Sequence, residues 1–350
     1  MSPPASRSPR PTDSDLASQR DALRNAEPRL YPRDIAARLK VTEAEIVALD
    51  EPVTAVRLRP CWTSLFGRLH RVGEVMALTR NADAVHEKTG SYGELQGGDT
   101  VGLFLGEAID LRLFFTAWRF AWAVTPAEGR RSIQVFGADG AAVHKVFTTA
   151  ATDLEAWDRL VAAHAAPHLE PPAIVPPAPL PRPVPDAAVD LAGFTAAWDA
   201  LRDTHHFNAL LTRFGVTRTQ ALRLAGAARA RPVAPRSLRL ALQHAAARAL
   251  PIMVFVANRG CIQIHAGPVH HLRETGPWFN VLDPGFSLHL RETAIAAAWV
   301  VAKPTDDGIV TSLELFDADG HAIAALFGRR KPGIPEDLDW RALCAILPGA

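Results

Sequence analysis

The chain repeats itself once, and that repeat limits what it can fold into more than any other feature. Leu39-Lys-Val-Thr-Glu-Ala-Glu-Ile-Val-Ala-Leu49 returns 175 residues later as Phe214-Gly-Val-Thr-Arg-Thr-Gln-Ala-Leu-Arg-Leu224. Both copies keep a helix-start pattern, Thr42 with Glu45 and Thr217 with Gln220. Val75-Met-Ala-Leu78 is answered by Ile252-Met-Val-Phe255, Val85-His86 by Ile264-His265, and Ile109-Asp-Leu-Arg-Leu113 by Phe286-Ser-Leu-His-Leu290. Phe136-Gly-Ala-Asp-Gly-Ala-Ala-Val143 is answered, 180 residues on, by Phe316-Asp-Ala-Asp-Gly-His-Ala-Ile323. An offset that drifts so little over half the chain marks an internal duplication.

Each copy reads as helices, then a sheet, then a closing helix. Tyr31 to Leu49 predicts two short helices. Val75–Leu78, Val101–Leu105, Leu111–Phe115, Phe120–Val124, Ser132–Phe136 and Val143–Phe147 are short apolar or alternating runs, punctuated by Gly97-Gly98, Gly106 and Ala138-Asp-Gly140. Such a meander predicts an antiparallel sheet, and Asp153 to His164 predicts the helix that follows it. Between the copies, Pro167 to Asp186 holds nine prolines in twenty residues. Proline has no N–H to give a ladder, so this stretch predicts an extended linker. The expected fold class is α+β: two similar halves, each with a large antiparallel sheet plus helices. The expected boundaries are a disordered tail at 1–28, a first repeat at 29–166, a linker at 167–190 and a second repeat at 191–350.

Composition narrows the partners. A net charge of +1 gives no support to a polyanion such as nucleic acid. A helix-turn-helix reading of Tyr31 to Asp50 meets the same objection: Glu43, Glu45 and Asp50 stand where a phosphate backbone would lie. The three cysteines are too scattered for a disulfide framework or a paired-cysteine zinc site. No run approaches the 18 or so apolar residues of a membrane-spanning helix. The first 28 residues contain no apolar core for a signal peptide, so a cytoplasmic protein is expected.

Leu201-Arg-Asp-Thr-His-His-Phe207 opens the first clear helical pattern of the second copy. Asp203 or Thr204 can cap it, which puts His205 and His206 in the first turn. The positive end of the helix disfavours imidazolium there, and a neutral imidazole is the form that ligates metal. The pair reads either as a solvated helix start or as a ligand. The two copies disagree here: Leu30 stands opposite His205, and His289 stands opposite Arg112. That asymmetry suggests one site built by both halves. His86 and His265 take equivalent strand positions and read as structural. His270-His271 reads as a loop pair, and Cys261 as a buried small apolar residue. Asn258-Arg259 suits a ligand contact or a turn equally.

Several of these runs resemble the HemS/HmuS/ChuS family of bacterial cytoplasmic haem-handling proteins. They are Gly73-Glu-Val-Met-Ala-Leu-Thr-Arg-Asn81 with Ala84-Val-His-Glu-Lys88, Ile109-Asp-Leu-Arg-Leu-Phe114 and Asp203-Thr-His-His-Phe207. Asn258-Arg-Gly-Cys-Ile-Gln-Ile-His265, Gly276-Pro-Trp-Phe-Asn-Val-Leu-Asp-Pro284 and Leu288-His-Leu-Arg291 continue the resemblance to Leu347. The resemblance implies one haem b (iron protoporphyrin IX) held between two similar halves. It implies His205 as the proximal iron ligand, with His206 as a second candidate. Arg112 would be the distal arginine and, in an enzyme, a catalytic group. Phe114 and Phe255 would pack on the porphyrin, and Lys303 and Arg330 would stand near the propionates. Neighbouring histidines on a helix point about 100° apart, so only one of the pair can face a single iron. The family's Gln-x-Tyr-Gly-x-Arg pattern stands here as Ala325-Leu-Phe-Gly-Arg-Arg330, without its Gln and Tyr.

The chemistry suits haem: aromatic and aliphatic walls for the disc, cations for the carboxylates, imidazole for the iron. The expected function is haem uptake and iron acquisition, with haem received from an inner-membrane importer or passed to a downstream acceptor. The alternative is haem degradation. No flavin or nicotinamide fingerprint is present, so electrons for it would come from outside.

Overall fold

A computed structural model describes residues 12–166, 170–176, 182–330 and 333–350. Helices α1 (Asp13–Ala26), α2 (Pro32–Leu39), α3 (Glu43–Ala48), α4 (Trp62–Phe66) and α5 (Leu154–His164) belong to the first copy, and α6 (Leu191–Asp199), α7 (Phe207–Phe214), α8 (Arg218–Leu224), α9 (Ser237–Ala247) and α10 (Leu338–Ile346) to the second. The first copy's strands are β1 (Ala55–Arg57), β2 (Gly73–Arg80), β3 (Ala84–Ser91), β4 (Gln96–Gly97), β5 (Val101–Leu105), β6 (Asp110–Phe114), β7 (Trp118–Val124), β8 (Ser132–Gly137) and β9 (Ala142–Thr152). The second copy repeats the order with β10 (Ala230–Val233), β11 (Ile252–Ala257), β12 (Cys261–Gly267), β13 (Leu272–Thr275), β14 (Trp278–Asp283), β15 (Phe286–Arg291), β16 (Ala297–Thr305), β17 (Gly308–Phe316) and β18 (Ala322–Gly328).

The expected helices at 31–49 and 153–164 are present. The capping boxes form at Thr42/Glu45 and Thr217/Gln220, and Asp153 caps α5 through the Ala156 N–H. One expectation changes. Residues 13–26 fall in the stretch read as disordered, yet they form α1. Few apolar residues recur in that stretch, so periodicity hides it. A Thr12/Asp15 capping box starts the helix, Leu16 is buried, and Arg20 reaches Asp50 at 2.6 Å. Residues 1–11 of the expected tail lie outside the described residues, as do 167–169 and 177–181 of the linker.

Two nine-stranded antiparallel sheets form, and neither belongs to one copy. The first runs β1-β7-β8-β9-β2-β3-β15-β14-β13, and the second β10-β16-β17-β18-β11-β12-β6-β5-β4. Each copy lends its central three strands to the other copy's sheet. The joins are β15 on β3, with Leu288 opposite His86, and β12 on β6, with Ile262 opposite Arg112.

Alternation explains why both joins hold. In β6 Leu111 and Leu113 are fully buried in a core with Phe66, Val75, Trp157 and Cys261, while Asp110, Arg112 and Phe114 point to the other side of the sheet. In β15 Leu288 and Leu290 enter a second core, with α9, α10, Leu313 and Leu326. Among the described residues each core is built almost wholly by one copy, with Cys261 entering the first and Ala84 the second. The copies are therefore held together mainly by the strand pairing at the two joins. Among the described residues, no helix is long and apolar enough to cross a membrane.

Candidate functional site

Residues directly opposite each other in an antiparallel pair project to the same side of the sheet. The pairings Arg112↔Ile262, Ile264↔Phe255, Phe255↔Ala325 and Met253↔Phe327 put Arg112, Phe255, Met253, Phe327 and Ile262 on one face of the second sheet. Phe114 shares it, two residues beyond Arg112. The pairing Glu314↔Ala325 carries the face on to β17, and Val310↔Lys303 to β16. Neighbouring positions on β11, which point inward, are fully buried, whereas Met253, Phe255, Phe327, Ile262 and Phe114 are only half-buried. The Phe255 and Phe327 rings lie 4.8 Å apart. The outer face thus carries an apolar strip with incomplete cover. Arg112, Phe114 and Phe255 come together on it because of the strand exchange.

At the β16 end, helices α6, α7 and α8 cover this face, with Phe207, Trp198 and Phe194 packed on Val301 and Trp299. A single 3₁₀ turn, Thr204–His206, precedes α7. Both histidines are exposed. Only His205 is held: the Asp203 carboxylate accepts its backbone N–H at 2.8 Å and its ring Nδ1–H at 2.6 Å. Those bonds, the backbone one foremost, keep the Asp203 carboxyl below its usual range. The ring tautomer follows, with Nε2 left free for a ligand. The structure thus separates two neighbours that the sequence leaves equivalent.

Arg112 is half-buried and pairs with Asp110, two residues earlier on the same strand face, and with the Leu111 carbonyl at 3.2 Å. Burial raises the Asp110 carboxyl against the opposing pull of Arg112. Arg330 is half-buried, its nearest acid Asp307 at 3.9 Å.

Lys303 stands differently from a free cation awaiting a carboxylate. It is 3% exposed, its ammonium bonds Glu314 at 2.6 Å, and it lies over the Phe207 ring at 4.6 Å. Arg218, at the start of α8, grips the same carboxylate at 2.7 and 2.8 Å and also lies over the Phe207 ring, at 5.0 Å. Burial would raise Glu314, but the two cations outweigh it and hold the carboxyl well below its usual range. Burial lowers Lys303 to about 8 despite that partner. Arg218 and Glu314 escaped the sequence reading. The available signal was a lone acid inside the apolar run Ile309–Phe316.

The first half also sets one carboxylate between two cations, but there the acid, not a cation, opens the helix. Glu43 opens α3 where Arg218 opens α8, and it meets Arg80 and Lys145, the latter at 2.5 Å. His289, opposite Arg112 in the repeat, bonds Asn280 at 2.7 Å on the first sheet. Among the described residues, several other histidines pack on rings or bond within the fold. His265 stacks on Phe286 at 3.7 Å, and buried His86 lies 5.0 Å from the same ring. His271 bonds Asp283 at 2.7 Å beside exposed His270. Cys261 is buried, 3.2 Å from Thr79 Oγ1. Asn258 builds a turn and Arg259 is exposed.

The family model for the haemin-degrading HemS.ChuX domain matches residues 40–164 and 215–347, one match per copy. The hemin transport protein HmuS of Yersinia pestis is 41% identical over 96% of this chain and 98% of its own length. Holo-PhuS, a haem-binding protein of Pseudomonas aeruginosa, is 46% identical with a TM-score of 0.93, covering 97% of this chain and 100% of that one. The haem-degrading enzyme ChuS of Escherichia coli O157:H7 is 36% identical with a TM-score of 0.90, covering 96% and 99%.

Proposed function

The chain belongs to the haemin-degrading HemS/ChuX family, and we propose that it is a cytoplasmic haem-handling protein that binds one haem b on the outer face of the second sheet. The observation that carries this reading is His205: an exposed imidazole, locked by Asp203 with Nε2 free, in the turn leading into α7, which packs on the same sheet face as the under-covered apolar strip. The residues suit the group. Met253, Phe255, Phe327, Ile262 and Phe114 offer apolar surface for a broad disc. His205 would supply an iron ligand, and Arg112 a cationic hydrogen-bond donor. Arg330 can pair with a propionate. Lys303, already neutralised by Glu314, acts through Phe207, which it keeps in place beneath the His205 turn.

Bound haem supplies the iron redox chemistry; the protein supplies ligation, a dry wall and a positioned guanidinium. Transport is the first function, in keeping with the hemin transport protein HmuS and the haem-binding protein PhuS. The haem would come from an inner-membrane importer and leave to a downstream acceptor. Degradation with external electrons is the second reading. Arg112, held at the face by Asp110, favours it, as does similarity to ChuS.

Haem titration tests the site. Saturation at one haem per chain is expected, because His205 has no counterpart in the first half. His205→Ala should change the coordination spectrum and His206→Ala should not. Two equivalent haems, or loss of the spectrum in His206→Ala alone, would overturn the assignment. Single-turnover spectra with a reductant and catalase separate the two functions: decay of the haem band that survives catalase indicates turnover.

A further inference from the structure

We infer that Asp203 is a positioning residue for the iron, acting through His205: its carboxylate fixes the imidazole's tautomer and strengthens Nε2 as a donor. This rests on the haem-binding reading above and deepens it. One oxygen, Asp203 Oδ1, receives both the His205 backbone N–H at 2.8 Å and the ring Nδ1–H at 2.6 Å. Two bonds to one residue leave the carboxylate little freedom, so the ring it holds is oriented as well as polarised. A carboxylate behind a ligating imidazole raises the ligand's basicity and favours the more highly charged metal state.

The fold alone does not call for this acid. In the repeat, Asp203 corresponds to Pro28, and α2 begins after Tyr31 without any side-chain cap. Asp203 and His205 are thus confined to the same copy. The contact also explains why the ligand is His205 and not His206. Among the described residues His206 has no side-chain hydrogen-bond partner, so neither its tautomer nor its direction is set. His271 with Asp283 has the same geometry at 2.7 Å, but it sits at the end of β14 on the first sheet. That pair serves as a matched control.

The test uses the full chain loaded with haem and compares Asp203→Asn, Asp203→Ala and Asp283→Asn. Asn caps helices as well as Asp does, so a purely structural role would be fully rescued by it. The expected result is a thermal midpoint near wild type for Asp203→Asn, but a ferric/ferrous potential raised in the order wild type, Asn, Ala. The ferrous iron–histidine stretch should fall in that same order. Haem loss to an apomyoglobin trap should be about 10–100-fold faster in Asp203→Ala. Asp283→Asn should match wild type in all three. A wild-type potential, stretch and loss rate in Asp203→Asn would overturn the proposal and leave Asp203 a helix cap. A native spectrum in His205→Ala would instead overturn the ligand assignment itself.

Discussion

Asn81 and Asn258 clamp the two halves with matching bonds in opposite directions. Each ends the first strand of a hairpin and accepts two backbone N–H groups of its own turn, those of Asp83 and Ala84 or of Gly260 and Cys261. Each then donates into the other half: Asn81 to the Ala257 and Ile323 carbonyls at 3.1 and 2.8 Å, Asn258 to those of Arg80 and Val143 at 2.9 and 2.7 Å. Asn258→Ala should destabilise the chain by about 2–3 kcal/mol, since it strands partly buried carbonyls as well as removing bonds. Asn258→Asp keeps the turn but loses the donors, and should recover only part of that. Urea unfolding of the three proteins checks it.

Glu314 is the centre of a buried charge cluster, so removing it should cost more than removing either cation. Glu314→Gln leaves Lys303 and Arg218 without their counter-ion and should destabilise by about 3–5 kcal/mol. Lys303→Met leaves the bidentate Arg218 contact intact and should cost much less. Thermal denaturation of both variants, without haem, checks the order.

Acid should weaken the fold through its buried histidines. Burial lowers His265 to about 4 and His144 to about 3, and His86 well below its usual value. Lys88, 3.4 Å from His265, opposes a second positive charge there. These groups bind protons more readily unfolded than folded, so their contribution is constant above about pH 6.5 and is lost as pH falls towards the folded values. The slope is up to about 1.4 kcal/mol per pH unit for each histidine. Stability measured between pH 7.5 and 5 should flatten in His144→Gln and His265→Gln relative to wild type.

Arg112 should govern what binds opposite His205. Arg112→Ala should keep one haem and the His205 ligation while lowering azide affinity of the ferric complex roughly tenfold, about 1.4 kcal/mol for one charge-assisted bond. Arg112→Lys should restore charge without the forked geometry and recover part of it. Asp110→Asn, which releases the guanidinium, should raise azide affinity. Azide titrations of the four proteins read all three effects.

The duplication, the strand runs, the capping boxes and the α+β class were readable from residues alone, because each rests on local periodicity and on side chains a few positions apart. So was the contrast between His205 and Leu30, which alignment of the two copies exposes. Three things needed the tertiary structure. Exchange of β4–β6 with β13–β15 depends on which strand edges meet, and the apolar alternation of β6 suits a join to either sheet. Lys303 looks like a free cation in sequence; Glu314, shared with Arg218, and the Phe207 ring offset its charge only once three elements converge. His205 and His206 are chemically identical neighbours, and a 2.6 Å hydrogen bond donated by one of them to Asp203 decides which ring has its tautomer fixed. Sequence specifies which groups exist and how they alternate; only packing brings a given donor and acceptor within reach, and that distance sets the chemistry.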